Sequence, residues 1–139
     1  CGSAYVTECD YFATVYNKVR NQGYEIGEDT IFVGALSDQS STIANYSYQA
    51  GNMLNDFIVA HDDVLFSGDA SGTSFSAPRV SGAAALVRQK FPNLTGIQIK
   101  QVLLQTATDL GASGPDNIYG YGKLNLENAM SPQGRVTAK

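Results

Sequence analysis

The stretch Gly72-Thr73-Ser74-Phe75-Ser76-Ala77-Pro78-Arg79-Val80-Ser81-Gly82 decides how this chain is read. A glycine-containing loop delivers a serine to the first turn of a helix. From Ser74 to Phe91 the apolar residues Ala77, Val80, Ala84, Val87 and Phe91 recur at spacings of three and four, which predicts a helix with one buried face. The small residues Ala77, Gly82, Ala83, Ala84 and Ala85 allow close packing, and Pro92 ends the helix. Backbone N–H groups at a helix start lack intrahelical partners, and the helix dipole is positive there. A carbonyl attacked by Ser74 would become an oxyanion beside the Ser74 N–H, in a field that favours the developing charge. Gly72 lets another backbone approach closely, and Pro78 is expected near the first turn, where a missing N–H costs least. Gly-Thr-Ser alone reads more readily as a Ser/Thr N-cap; the longer string decides against that.

Working outward, Pro92 is followed by Thr95 and Gln98 in the capping-box pattern. The helix they open carries Ile99, Val102, Leu103 and Ala107 on one face, with Gly111 expected as its C-terminal cap. Residues 112–122 read as a Gly-rich turn, and Leu124 to Met130 as a short closing segment. Upstream, residues 61–73 are a loop rich in Asp, Ser and Gly, and Asp56 to Ala60 reads as a strand. Residues 37–55 are Ser/Asn/Gln-rich and loop-like, and Thr30 to Leu36 is a second short apolar strand. Tyr11, Val15 and Val19 at helical spacing predict a helix over about residues 10–20, with Gly23 and Gly27 breaking it. Apolar strands that barely alternate, followed by helices, predict an α/β fold with a parallel sheet flanked by helices.

The nucleophile segment resembles the motif of the subtilase family, the subtilisin-like serine peptidases: Gly-Thr-Ser-X-[Ser/Ala]-Ala-Pro-X-Val-[Ser/Ala]-Gly. Every fixed position from Gly72 to Gly82 matches. The likeness continues on both sides. Ile31-Phe32-Val33-Gly34-Ala35 is similar to the family's strand, and Asn45-Tyr46-Ser47 to its Phe-Ser-Asn turn. Phe57-Ile58-Val59-Ala60 is similar to the strand that ends in Ala-Pro-Gly, with His61-Asp62 standing where Pro-Gly would be. Ala84-Ala85-Leu86, Ile99 to Leu103, Thr106-Ala107 and Tyr119 to Asn125 follow in the family's order. The resemblance covers about residues 30–130, the C-terminal part of a catalytic domain, with 1–29 unplaced and 131–139 a tail or linker. It implies a partial subtilisin-like sheet and a serine endopeptidase mechanism: Ser74 as nucleophile, its N–H as one oxyanion donor, and Gly72 and Thr73 shaping the floor of the site. The tail Ala129 to Gly134 is similar to the junction in bacterial surface subtilases that continue into an autotransporter segment. No cofactor is identifiable; calcium enters only through the resemblance.

Composition sets outer bounds. With 139 residues, 43% hydrophobic, 14 Gly and 4 Pro, the chain suits one globular domain with a modest core. No apolar run approaches the ~18 residues of a membrane span. Thirteen acidic and 9 basic residues give −4, and nothing basic clusters, so no nucleic-acid footprint is present. An acidic, Ser/Asn/Tyr-rich surface suits a secreted protein, and the resemblance to bacterial surface subtilases adds the bacterial cell surface as the other expected location. Cys1 and Cys9 can close a small disulfide loop, which requires an oxidising compartment; two free thiols are the alternative. A start at Cys1, without initiator Met or signal-like segment, reads as a piece of a longer gene product.

The family's triad order is Asp, His, Ser along the chain. The one histidine, His61, lies thirteen residues before Ser74, outside any His-Gly-Thr context, and reads as a surface-loop residue. His61-Asp62-Asp63 offers one His and no second cluster, too little for a metal site. Asp10, Asp29 and Asp38 sit in no Asp-Ser/Thr-Gly context, and the Ala-Ala-Gly-Asn segment for the oxyanion Asn is missing. A serine hydroxyl without an adjacent base is a weak nucleophile, so the chain alone is expected to be inactive. Its expected partners are a polypeptide substrate and the N-terminal part of the same catalytic domain. A half-sheet also invites self-association or a swapped dimer. The alternative reading is a non-catalytic subtilase-like module that binds peptides or partners.

Overall fold

The computed structural model describes residues 11–24, 28–37, 40–62 and 71–132. The Cys1–Cys9 loop, Asp10 and Asp38 lie outside the described residues. The chain runs through α1 (Tyr11–Asn21), β1 (Phe32–Leu36), a 3-10 helix (Gly51–Asp56), β2 (Phe57–His61), α2 (Thr73–Lys90), α3 (Gly96–Gln105) and α4 (Leu126–Met130).

β1 and β2 pair in parallel, with Phe32 opposite Phe57 and Leu36 opposite His61. Parallel strands need a crossover, and residues 37–56 supply it. β2 is the inner strand, because residues 121–124 run along its other edge. There Tyr121 N–H donates to Phe57 O (3.0 Å), Val59 N–H to Gly122 O (2.9 Å) and Leu124 N–H to Val59 O (2.9 Å). Burial on both faces explains the weak alternation. Ile58, Ala60 and Val33 join Val80, Ala83, Val87, Val102, Leu103 and Ala129 of the helices in one core. Phe57, Val59, Leu36 and Phe32 face the other way, onto Ala50, Ile43, Leu110 and Tyr119. The fold is therefore the expected α/β arrangement, a short parallel sheet with helices against it.

Three details depart from the sequence reading. The buried stripe of α2 is Ser76, Val80, Ala83 and Val87, while Ala77 is exposed and Ala84 only half-buried. Small residues flank the Val80–Val87 ridge on both sides, so composition cannot choose the flank; contact with the sheet does. Gly111 does not cap α3. Thr106 does, its hydroxyl donating to Val102 O at 2.6 Å, after which Thr108 pairs with Lys123 and draws the chain away. The loop expected over residues 37–55 contains the start of the 3-10 helix that buries Met53 and sets Asp56 at the foot of β2. The capping box of Thr95 and Gln98 is present in full.

Gly122 holds the 121–124 segment against β2 at φ 102°, and a Cβ there would strike Thr108 O. Gly122→Ala is expected to destabilise the chain by at least about 1–3 kcal/mol through backbone strain alone. The check is a lower urea midpoint at unchanged m.

Candidate active site

Ser74 is the second residue of α2, and its side chain is exposed. The N-cap is Gly72, at φ 142° and ψ 159°, and no side chain supplies the cap bond. Instead Phe75 N–H closes the first turn onto Gly72 O at 2.9 Å. Neither the Thr73 nor the Ser74 hydroxyl is spent on capping. The N-cap is thus a glycine and not the Ser/Thr cap of the alternative reading. Pro78 is the sixth helical residue, one turn deeper than expected. Lacking an N–H, it cannot donate to the carbonyl four residues back, that of Ser74.

The site lies just beyond the carboxyl end of β2, where open α/β sheets present their ligand sites. β2 ends at His61. Asp62 follows, buried at 2% exposure, and its Oδ2 accepts from Gly72 N–H at 3.2 Å. His61 is half-buried at the strand end, not a surface-loop residue as the sequence suggested. Strand alternation puts it on the Val59 face, while Asp62 shares the face of Ile58 and Ala60 that packs on α2. Gly72, Thr73 and Ser74 are thus brought together, and His61 points to the other side of the sheet. Sequence reasoning missed Asp62; the signal was an acid standing where the resembling family has glycine.

A second polar cluster lies at the other end of β2. Asp56 Oδ1 accepts from Lys100 Nζ at 2.6 Å and Oδ2 from Arg20 Nη1 at 2.5 Å. With Tyr16, Glu28, Asn55, Gln101 and Tyr121 these residues line a cavity of about 400 Å³. Burial, and then the Asp56 charge, push the Tyr16 phenol above its ordinary value. The hydrogen bond to Asp56 raises Arg20 further. Six residues of strand at ~3.3 Å each put this cluster roughly 20 Å from the Asp62–Gly72 contact, so it is not part of the Ser74 site. Among the described residues no three acids, histidines or cysteines gather to hold a metal. Among the same residues no helix is long and apolar enough to cross a membrane.

The model of the subtilase family matches residues 15–122. This chain belongs to the subtilase family. The match begins upstream of β1, within α1, and ends in the segment that pairs with β2. Among similar proteins, serotype-specific antigen 1 of Mannheimia haemolytica is 36% identical over 118 residues, covering 75% of this chain and 13% of that protein. An extracellular serine protease of Serratia marcescens is 38% identical over 98 residues, covering 68% of this chain and 9% of that protein. The crystal structure of MycP1 from Mycobacterium smegmatis superposes with a TM-score of 0.61 at 31% identity, over 78% of this chain and 32% of that one. The subtilase chain thus spans a small part of the length of the curated relatives it matches.

Proposed function

We propose that this chain is the nucleophile-bearing part of a subtilisin-type serine endopeptidase, with Ser74 attacking the scissile peptide carbonyl. One observation carries the reading: Ser74 is exposed at the start of a long helix whose cap is glycine backbone, which leaves the hydroxyl uncommitted. The Ser74 N–H serves as one oxyanion donor, favoured by the helix dipole. Gly72 and Thr73 form the floor over which the substrate backbone passes. Membership in the subtilase family supports the reaction class.

The general base, its orienting Asp and the oxyanion Asn come from the N-terminal part of the same catalytic domain. In this chain the sole histidine is His61, on the sheet face turned from α2, so the 139 residues alone do not hydrolyse peptides. Without the other half, the exposed side of α2, including Ala77, Gly82, Ala85 and Leu86, favours self-association or an element-swapped dimer. Relatives described as an extracellular serine protease and as an autotransporter lipoprotein support a secreted or cell-surface location.

A fluorophosphonate probe tests the reading. The isolated chain is expected to label slowly, and the chain joined to its N-terminal part to label fast, with the adduct on Ser74. Fast labelling of the isolated chain would overturn the dependence on the missing partners. No labelling of the completed domain would favour a peptide-binding module instead.

A further inference from the structure

We propose that Asp62 is a positioning residue for Ser74, an inference that rests on reading Ser74 as the nucleophile. Asp62 is 2% exposed, and its Oδ2 accepts from the N–H of Gly72, ten positions along the chain, at 3.2 Å. Gly72 is thereby held at both of its backbone groups. Its N–H is bound by Asp62 at the end of the sheet, and its carbonyl accepts from Phe75 N–H at 2.9 Å in the helix. Ser74 lies between those two anchors and the body of α2.

The anchor is rigid on the sheet side. β2 is hydrogen-bonded to β1 on one edge and to residues 121–124 on the other. Ile58, Val59 and Ala60 are buried just before Asp62. The helix side needs an anchor. Gly72 sits at φ 142°, a region that only glycine enters freely and that glycine also leaves freely. No side chain caps α2 from its own N-cap position. Asp62 fills that gap from a distance: its side-chain oxygen accepts the Gly72 N–H and holds the turn in place. The consequence for catalysis is geometric. A reactive group displaced by about 1 Å loses up to roughly a hundredfold in rate, and Asp62 fixes the turn from which Ser74 projects. The resembling family has glycine at this place, which has no side chain to do so. The device therefore belongs to this chain and not to the shared motif.

The test uses the completed catalytic domain, with active sites counted by fluorophosphonate titration. D62A is expected to lower kcat per active site by about tenfold to a hundredfold, with KM changed less than about twofold. D62N keeps an oxygen acceptor without the charge and is expected to recover kcat to within about threefold of the parent. Hydrogen exchange of the Gly72 amide should quicken by at least about tenfold in D62A and remain slow in D62N. A D62A enzyme with unchanged kcat overturns the proposal, as does a D62N enzyme as slow as D62A, which would mean that the charge acts and not the acceptor. Should D62A fail to fold, D62E carries the test: it keeps the charge but displaces the acceptor, so an unaltered kcat there overturns the proposal. S74A in the same domain separates the two readings. Retained activity in S74A defeats the nucleophile reading whatever Asp62 does, whereas an inactive S74A beside a fully active D62A defeats only the role of Asp62.

Discussion

Replacing Ser74 with alanine in the completed catalytic domain is expected to reduce kcat by roughly 10⁶-fold, the loss known for the triad serine of subtilisin, a relative in the same family. The size follows from what the hydroxyl does. Without it there is no covalent intermediate, and a base that would have taken its proton has no proton to take. What remains is the contribution of the oxyanion donors and substrate binding, about 10³–10⁴ over the uncatalysed reaction. The fold should not notice. Ser74 is exposed and makes no cap bond, and exposed substitutions away from special features fall within about 0.5 kcal/mol. Measured together, kcat should collapse while the urea midpoint stays put. A loss of less than about tenfold in kcat would remove Ser74 from the nucleophile role. Ser76 provides a contrast on the same helix. It is fully buried, its Oγ has no hydrogen-bond partner, and it lies on the stripe that packs on the sheet. Two serines two residues apart thus have opposite surroundings, because a helix turns about 200° in that distance.

How far the sequence could be read depended on whether the deciding contacts were local. The helix from Ser74 onward, the capping box at Thr95 and both strands were legible, because period and cap chemistry are written within a few residues. The α1 helix was legible from Tyr11, Val15 and Val19 for the same reason. The proposed site at Gly72, Thr73 and Ser74 was read from one short segment. What stayed hidden depends on pairs far apart in the chain. The Asp62–Gly72 contact spans ten residues, the Asp56–Lys100 contact forty-four, and the Arg20–Asp56 contact thirty-six. Nothing near Lys100 announces a buried ammonium except its position beside Ile99, on a helix whose neighbours Val102, Leu103 and Leu104 are buried. The choice between Ala77 and Ser76 for the buried stripe, and the failure of Gly111 to cap α3, have the same origin. Each was settled by what packs or pairs from elsewhere, not by local preference.

That long-range network carries the largest expected effect on stability. Asp56 holds Lys100, whose side chain is 4% exposed, and Arg20, whose side chain is 43% exposed. Asp56→Ala would leave the Lys100 ammonium buried without a counter-charge. Removing one partner of a buried pair typically costs about 3–5 kcal/mol, a large share of the roughly 5–15 kcal/mol that stabilises a whole domain. Urea denaturation of the chain should therefore show D56A as far less stable than the parent. Arg20→Ala provides the internal comparison. Its half-exposed ion pair is screened by solvent, so the expected loss is about 1 kcal/mol or less. The Asp56→Leu/Lys100→Met double variant removes both buried charges and fills the space with apolar atoms, and it should recover most of what D56A loses, since apolar replacement of a buried pair is often neutral. Strong non-additivity of this double variant relative to Asp56→Leu and Lys100→Met alone would place the energy in the Lys100 contact. A D56A variant less than about 1 kcal/mol below the parent would mean that Lys100 reaches water once its partner is gone.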